Sequence, residues 1–282
     1  MLDTELVHQF IKDTLAEDVG DGDHTSLATI PQGTTGKARL LVKDTGILAG
    51  VELAVEIFKI IDPLLKLDIF LQDGASVKPQ DVAFEVEGST HSILKAERLV
   101  LNCMQRMSGI ATRTHSIVEM LEGTGTRVLD TRKTTPGFRY FEKWAVKIGG
   151  GVNHRFGLYD MILIKDNHVD YSGGIKQAIQ NTQAYLQANN KQLKVEIEVR
   201  NFDELQEAME TGGIDRIMLD NFSVPDLKKA IEMIGGKFAT EASGGITADT
   251  IRAYAETGVD YISVGALTHS VKSLDLSLKA VK

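Results

Sequence analysis

Among its 282 residues the chain has a single cysteine, Cys103, set in the apolar helical run 99–107. A disulfide framework and a thiolate zinc site are therefore excluded, and Cys103 reads as a small buried hydrophobe. The seven histidines include no pair at i, i+4, so the helical zinc-hydrolase pattern is missing too. No stretch of eighteen consecutive apolar residues occurs, which argues against a membrane-spanning helix. Low-complexity segments and long linkers are absent. The opening residues MLDTELVHQFIKD are charged and helix-like rather than signal-like, so a cytoplasmic protein is expected. A chain of this length buries about 75% of its unfolded surface, ample for a core without covalent staples.

Positive charge is also scarce: the formal net charge is -8, which speaks against a nucleic-acid partner. Yet between residues 127 and 165 eight Lys or Arg stand against three acids. A local cationic excess in an acidic chain points to a small anionic ligand. Solvated helix faces account for some of these cations, but not for those that follow directly on short apolar runs, as in LDTRKTTPGFR. The acidic loop EDVGDGDHTS (17–26) lacks calcium-loop spacing, and its aspartates read as turn and cap residues.

Up to about residue 90 the pattern mixes helices (3–16, 51–61) with short strands (37–42, 67–71, 82–86), as in a compact α+β domain. Two helical runs follow, 91–106 and 110–121, with a break predicted at Ser108-Gly109, where glycine suits a helix end. From residue 127 the pattern becomes a strict alternation of apolar strand, polar loop and amphipathic helix. Strands are predicted at 127–129, 161–164, 195–199, 216–219, 238–241 and 261–264. Six such repeats fit an incomplete TIM-like α/β barrel, or else a doubly wound sheet. The expected domains are 1–108, with its linking helix, and 109–282, with a last helix that returns to the first domain.

The strand ends carry the chemistry. In order they are Asp130-Thr131-Arg132-Lys133, Lys165-Asp166-Asn167, Glu198, Asp220-Asn221, Ser243-Gly244-Gly245 and Val264-Gly265-Ala266. A barrel gathers these on one face, which favours it over the open sheet. The last two sets are glycine-rich, and each is expected to lead into a helix, opening at Thr247 and near Ser270. Exposed amides at such a place make a phosphate cradle. Arg132, Lys133, His154, Arg155 and Lys165 would surround a second anion. For His154 and Arg155 a role in bridging helices stays open. Lys165 ends the apolar run MILIK, where burial without a ligand would be costly; it can be an anion partner or a Schiff-base nucleophile. Glu198 and Asp220 would repel phosphate unless they address hydroxyls, a divalent cation or a developing positive charge. That combination describes a phosphosugar ionising at its anomeric carbon. Glu196 shares a strand face with Glu198, which lies nearer the strand end.

The segments EDVGDGDHTS, AERLVLNCMQRMSGIATRT, VLDTRKTTPGFR, KWAVKIGGGVNHRFGLYDMILIKDNH, VEIEV, IMLDN, EASGGI and GVDYISVGALTHS resemble the quinolinate phosphoribosyltransferases over about residues 17–270. The resemblance implies an N-terminal α/β sandwich domain and an incomplete TIM-like α/β barrel. It implies a homodimer with active sites shared between chains, with hexamers left open. The implied reaction joins quinolinate to phosphoribosyl pyrophosphate and decarboxylates it, giving nicotinate mononucleotide, pyrophosphate and carbon dioxide in NAD biosynthesis. By this resemblance Arg98, from the neighbouring chain, joins Arg132, His154, Arg155 and Lys165 around quinolinate. Lys133 would face the pyrophosphate, and Glu198 and Asp220 the ribose. Ser243, Gly244, Gly245, Val264, Gly265, Ala266 and His269 would line the 5-phosphate, with Thr131 beside the cations. Lys133, Lys165, Glu198 and Asp220 are the implied catalytic groups. The implied cofactor is magnesium, held chiefly by the pyrophosphate with Glu198 and Asp220 as further ligands. Rival readings are a barrel aldolase or decarboxylase using Lys165, a related phosphoribosyltransferase of another pathway, and a non-catalytic phosphosugar sensor.

Overall fold

The computed structural model describes residues 4–281. Asp3, where the first helix is expected to open, lies outside them. In chain order the elements run α1 (Thr4–Val19), α2 (His24–Thr29), β1 (Thr35–Val42), β2 (Gly46–Ile47), α3 (Val51–Ile61), β3 (Lys66–Ile69), β4 (Ser76–Val77), β5 (Val82–Ser89) and α4 (Thr90–Met120). There follow β6 (Arg127–Leu129), α5 (Arg139–Ile148), β7 (Ile162–Ile164), α6 (Asp166–Ser172), α7 (Ile175–Ala188), β8 (Val195–Val199), α8 (Phe202–Thr211) and β9 (Arg216–Asp220). The remainder are α9 (Val224–Ile234), β10 (Ala239–Ser243), α10 (Ile251–Ala255), β11 (Tyr261–Ser263), α11 (Ala266–His269) and β12 (Leu276–Ala280). The chain divides into two compact units. One takes the chain up to His115, Thr134–Gly150 and the chain from Leu267; the other takes Ser116–Lys133 and Gly151–Ala266.

The first unit carries an antiparallel sheet in the order β12-β1-β5-β3. Alternation along β1 buries Ala38, Leu40 and Val42. Lys37 and Arg39 between them turn to the other face, where Lys37 lies 3.1 Å from Glu85 and 3.3 Å from Glu87 and Arg39 pairs with Glu85. On the inner face Phe84 of β5 meets Phe58 of α3 edge-on, with ring centroids 5.9 Å apart. Both rings are fully buried, and each contributes about 1.5–3 kcal/mol of burial. Asp23 caps α2, its side chain accepting the Ser26 amide, so the acidic loop does contain a cap.

Two expectations fail in this unit. The predicted break at Ser108-Gly109 does not occur, because α4 runs unbroken from Thr90 to Met120. Gly109 is small for another reason: a Cβ there would stand 2.3 Å from the backbone oxygen of Lys272. Its neighbour Ser108 is fully buried, its hydroxyl accepting from the Ala49 amide and donating to the Ala49 carbonyl. The glycine is thus a close-approach residue in mid-helix, where propensity is overridden by packing. The C-terminal segment does return to the first unit, but as strand β12 antiparallel to β1 and not as a helix. Its inward residues Leu276 and Leu278 recur every second position, the strand period.

The second unit is built on a six-stranded parallel sheet in the order β6-β11-β10-β9-β8-β7. From β7 to β11 consecutive strands are neighbours, and β11 pairs with β6, so the sheet is a barrel that stays open between β6 and β7 among the described residues. Every residue of β8 is buried, as expected of a strand covered on both faces. The intervening helices carry their own stop and start signals. Asn201 caps α8 by accepting the Glu204 amide, and Ser223 caps α9 by accepting the Asp226 amide, with Pro225 in its first turn. Gly235 in the left-handed region ends α9. The helix after β10 opens at Ile251, not at Thr247, and that after β11 opens at Ala266, not near Ser270.

Candidate active site

Strand register brings the functional ends to one rim of the parallel sheet. Ile164 pairs with Ile197, Val199 with Leu219, Asp220 with Ser243, Ala242 with Ile262 and Ser263 with Leu129. The residues that follow or end these strands therefore emerge together. Lys165 reaches Glu198, with Nζ 3.2 Å from Oε2. The lysine side chain is 48% exposed and the glutamate 7%. Lys165 is accordingly not the buried cation its apolar lead-in suggested. An exposed ammonium paired to a carboxylate lacks the desolvated pocket that a Schiff-base lysine needs.

Asp220 stands beside this pair. Burial raises its carboxyl above the ordinary value, while the Asn221 amide and the Lys165 charge pull the other way. Asn221 Nδ2 donates to Asp220 Oδ2 at 2.6 Å. Asn221 has φ 57°, and Gly244 at φ 92° packs so closely that a Cβ there would lie 2.2 Å from Asn221 Oδ1. Glycine is required at 244 on both counts. Gly245 follows at φ 63° with open space where a Cβ would be, and successive left-handed residues of this kind form turns suited to binding an anion through backbone amides. The Val264 amide is taken by Leu129 O at 3.0 Å, leaving Gly265 and Ala266 to open α11.

The cationic side of the rim rests on buried Asp130, at the end of β6. Asp130 Oδ1 accepts the His154 amide at 2.8 Å and Oδ2 accepts Asn153 Nδ2 at 2.5 Å. This ties the 153–155 loop to β6. Thr131 Oγ1 accepts the Lys133 amide at 3.1 Å, and Arg132 and Lys133 are exposed. Arg155 is half-buried, and desolvation followed by the nearby Arg132 charge lowers its pKa. A half-buried guanidinium whose charged form is disfavoured by burial and by a neighbouring cation is a ready site for an anion.

Beneath the rim lies a layer of charge that sequence reasoning missed. The His154 ring is directed inward, its side chain 6% exposed, with Nε2 3.0 Å from Glu196 Oε2 and 3.4 Å from Glu241 Oε2. Both carboxylates are fully buried. Arg216 Nη1 lies 2.9 Å from Glu241 Oε2 and 3.6 Å from Glu196 Oε2, and its guanidinium sits 4.5 Å above the Tyr261 ring. Burial and the Glu241 charge push Glu196 up to about 7. The carboxylates pull the His154 ring toward protonation against its burial. The Arg155 amide, however, donates to Nδ1 at 2.7 Å and so needs a lone pair there. That contact selects the Nε2–H tautomer facing the carboxylates. The ligand atoms of His154, Glu196 and Glu241 lie within 4.8 Å of one another, a spacing able to hold a metal ion, but Arg216 already supplies positive charge. The available signal was Glu196 and Glu241 themselves, since acids inside apolar barrel strands need partners.

Arg98 and His269 belong to the first unit. Arg98 is exposed on α4; His269, also exposed, ends α11 with Nδ1 2.7 Å from Ser270 Oγ. Cys103 is buried, which pushes its thiol up to about 12. No described helix is long and apolar enough to cross a membrane.

Two families match nearly end to end. The quinolinate phosphoribosyl transferase N-terminal domain matches residues 23–108 and the C-terminal domain residues 110–279. The chain belongs to the quinolinate phosphoribosyltransferase family. Quinolinate phosphoribosyltransferase [decarboxylating] 1b of Nicotiana tabacum is 47% identical over 94% of this chain and 79% of its own length. The probable nicotinate-nucleotide pyrophosphorylase [carboxylating] of Bacillus subtilis is 42% identical over 93% and 89%. The crystal structure of NadC from Streptococcus pyogenes superposes with a TM-score of 0.93 at 38% identity, covering 100% of this chain and 99% of that one. The Francisella tularensis nicotinate-nucleotide pyrophosphorylase gives 0.91 at 40% identity, covering 100% and 98%. Family and fold, an N-terminal sandwich with a TIM-like barrel, thus agree with the resemblance carried by the motifs.

Proposed function

We propose that this protein transfers the phosphoribosyl group of phosphoribosyl pyrophosphate to the ring nitrogen of quinolinate. Decarboxylation then gives nicotinate mononucleotide, pyrophosphate and carbon dioxide in NAD biosynthesis. The observation that carries this reading is the order along the rim: Arg132 follows β6, to which Asp130 ties the loop carrying Arg155, while Glu198, Asp220 and the Gly244-Gly245 turn lie at the ends of the adjacent strands β8, β9 and β10. A diacid fits the first half and a phosphorylated sugar the second.

Arg132, Arg155 and Lys165 hold the two carboxylates of quinolinate. Each charge-assisted hydrogen bond contributes about 1.5–3 kcal/mol. The turns at Ser243–Gly245 and Gly265–Ala266 take the 5-phosphate, with the preceding Val264 amide already bonded to Leu129 O, and Lys133 faces the pyrophosphate. As pyrophosphate departs, the anomeric carbon becomes cationic, and Glu198 and Asp220 stabilise that charge. Lys165, paired with Glu198, bridges the two halves of the rim. After attack the ring nitrogen is quaternary; its positive charge stabilises the electron pair left on the adjacent carbon as carbon dioxide departs, and a proton from solvent then bonds to that carbon. Cations positioned for two carboxylates disfavour nicotinate, because one would be left unpaired.

Glu198 and Asp220 offer hard oxygen donors, and no third acidic or histidine ligand converges with them among the described residues. This fits a magnesium ion carried mainly by substrate oxygens. When bound, magnesium supplies charge neutralisation to the leaving pyrophosphate. Exposed Arg98 completes the quinolinate pocket of a second copy in a homodimer, and the reaction is placed in the cytoplasm as part of the same proposal. Mixing Arg98→Ala with Lys165→Ala protein should restore part of the activity that each lacks; confirmed subunit exchange without recovery would contradict shared sites.

The reading is tested by incubating the protein with quinolinate, phosphoribosyl pyrophosphate and magnesium and following nicotinate mononucleotide by its ultraviolet spectrum. Product that requires all three supports it. Borohydride trapping of a carbonyl substrate on Lys165, with no nucleotide formed, would support an aldolase instead.

A further inference from the structure

The layer below the rim has no part in the reaction as derived, yet it is the most heavily charged buried place in the second unit. Glu196, Glu241 and Asp130 are each fully buried, the His154 side chain nearly so, and the Arg216 side chain is 18% exposed. Burying such groups is expensive, and apolar residues would fill a barrel more cheaply. Their arrangement leads step by step to Arg155, one of the cations that hold the diacid. Glu196 and Glu241 face His154 Nε2 from β8 and β10. Nδ1 of the same ring receives the Arg155 amide at 2.7 Å. The His154 amide is fixed by Asp130 at 2.8 Å, and Arg155 Nη1 donates to Met161 O at 3.3 Å. Arg216 holds the carboxylates in place from β9. Register places this layer one step further into the sheet than the rim: Glu196 and Glu241 lie two residues before Glu198 and Ser243 on the same strands.

We propose that Glu196, Glu241 and Arg216 are positioning residues, which act through the buried His154 ring to set the backbone that carries Arg155 and so tune recognition of the diacid. The inference rests on the reading of quinolinate as substrate. His154 is then a strut whose ring spans from the barrel interior to the binding loop, and its effect on substrate is exerted through Arg155. Loss of the carboxylates frees the ring, and the loop that it holds loses its register against the diacid. The phosphosugar side of the rim stands on other contacts and is spared.

The test is steady-state kinetics of Glu241→Gln and Glu196→Gln, each alone and combined with His154→Asn. Either glutamine should raise the KM for quinolinate by about tenfold, with the KM for phosphoribosyl pyrophosphate within about twofold and kcat within about threefold. In the His154→Asn background the same substitution should change the quinolinate KM by less than about twofold, because the strut is already gone. Equal effects in both backgrounds would overturn the inference. So would a loss of active-site titre with both KM values unchanged, which is the signature of a merely structural role. If one glutamine variant does not fold, the other carries the same comparison. Wild-type protein that makes no product from quinolinate would bring down the functional reading and this inference with it; active wild type with unaltered variants would sink this inference alone.

Discussion

On the antiparallel sheet, Lys37, Arg39, Glu85 and Glu87 pair across the outer face of β1 and β5, whereas in the parallel sheet Glu196, Glu198 and Glu241 sit on strands buried against the barrel. Both regions hold ion pairs of similar length. Their physics differs. On the outer face Lys37, Arg39 and Glu87 keep contact with water and Glu85 is covered chiefly by its two cations, so pairing adds little and the residues are exchangeable. Inside the barrel each charge has been stripped of water and depends on its partners, so removing one leaves another exposed to the full penalty. The contrast separates charges that decorate a fold from charges that do work in it.

Substitutions on the two sheets should sharpen that contrast. Glu198→Ala is expected to lower kcat by about 100- to 1,000-fold, since it removes a group that stabilises the positive charge developing on the sugar in the transition state. The matching change Glu85→Ala should leave kcat within about twofold, by the same assay. An unchanged kcat in Glu198→Ala would break the comparison at its strongest point. Next in size, Arg132→Ala and Arg155→Ala should each raise the quinolinate KM by roughly 10- to 100-fold with a smaller change in kcat. A third substitution probes packing in the first unit. Gly109→Ala should cost about 1–3 kcal/mol in urea denaturation, because its methyl group meets the Lys272 carbonyl. A stability equal to wild type would mean that α4 can move away. The smallest effect concerns Cys103, whose thiol is pushed up to about 12 by burial. At pH 8 the reactive thiolate is scarce, so iodoacetamide should label native protein at least about 100-fold more slowly than unfolded protein.

The same contrast explains what could be read from the chain alone. Strands β6 to β10 announce themselves as short strand-patterned runs, and the positions of Arg132, Lys165, Glu198, Asp220 and Gly244 follow from where those runs end. Local pattern reports local structure well. It fails where a residue answers to something distant in sequence. Gly109 looks like a helix end and is instead a gap for the chain near Lys272. The stretch 276–280 follows a helix-rich region and becomes a strand, because β1 offers an edge to pair with. Lys165 looks buried from its apolar neighbours but extends to Glu198 and solvent. The layer of Glu196, Arg216, Glu241 and His154 draws on four separate stretches, and no spacing within any one of them reveals it. Arg98 could be singled out only through family resemblance, since an exposed helix cation has no signature of its own.

The central claim is that one rim joins a diacid to a phosphosugar and then expels one carboxylate. It is tested most directly with quinolinate isotopically labelled in the carboxylate beside the ring nitrogen, measuring labelled carbon dioxide against pyrophosphate in the same reaction. One carbon dioxide per pyrophosphate, both dependent on phosphoribosyl pyrophosphate, is the expected result. Pyrophosphate released without labelled carbon dioxide, or turnover of nicotinate as rapid as that of quinolinate, would contradict it.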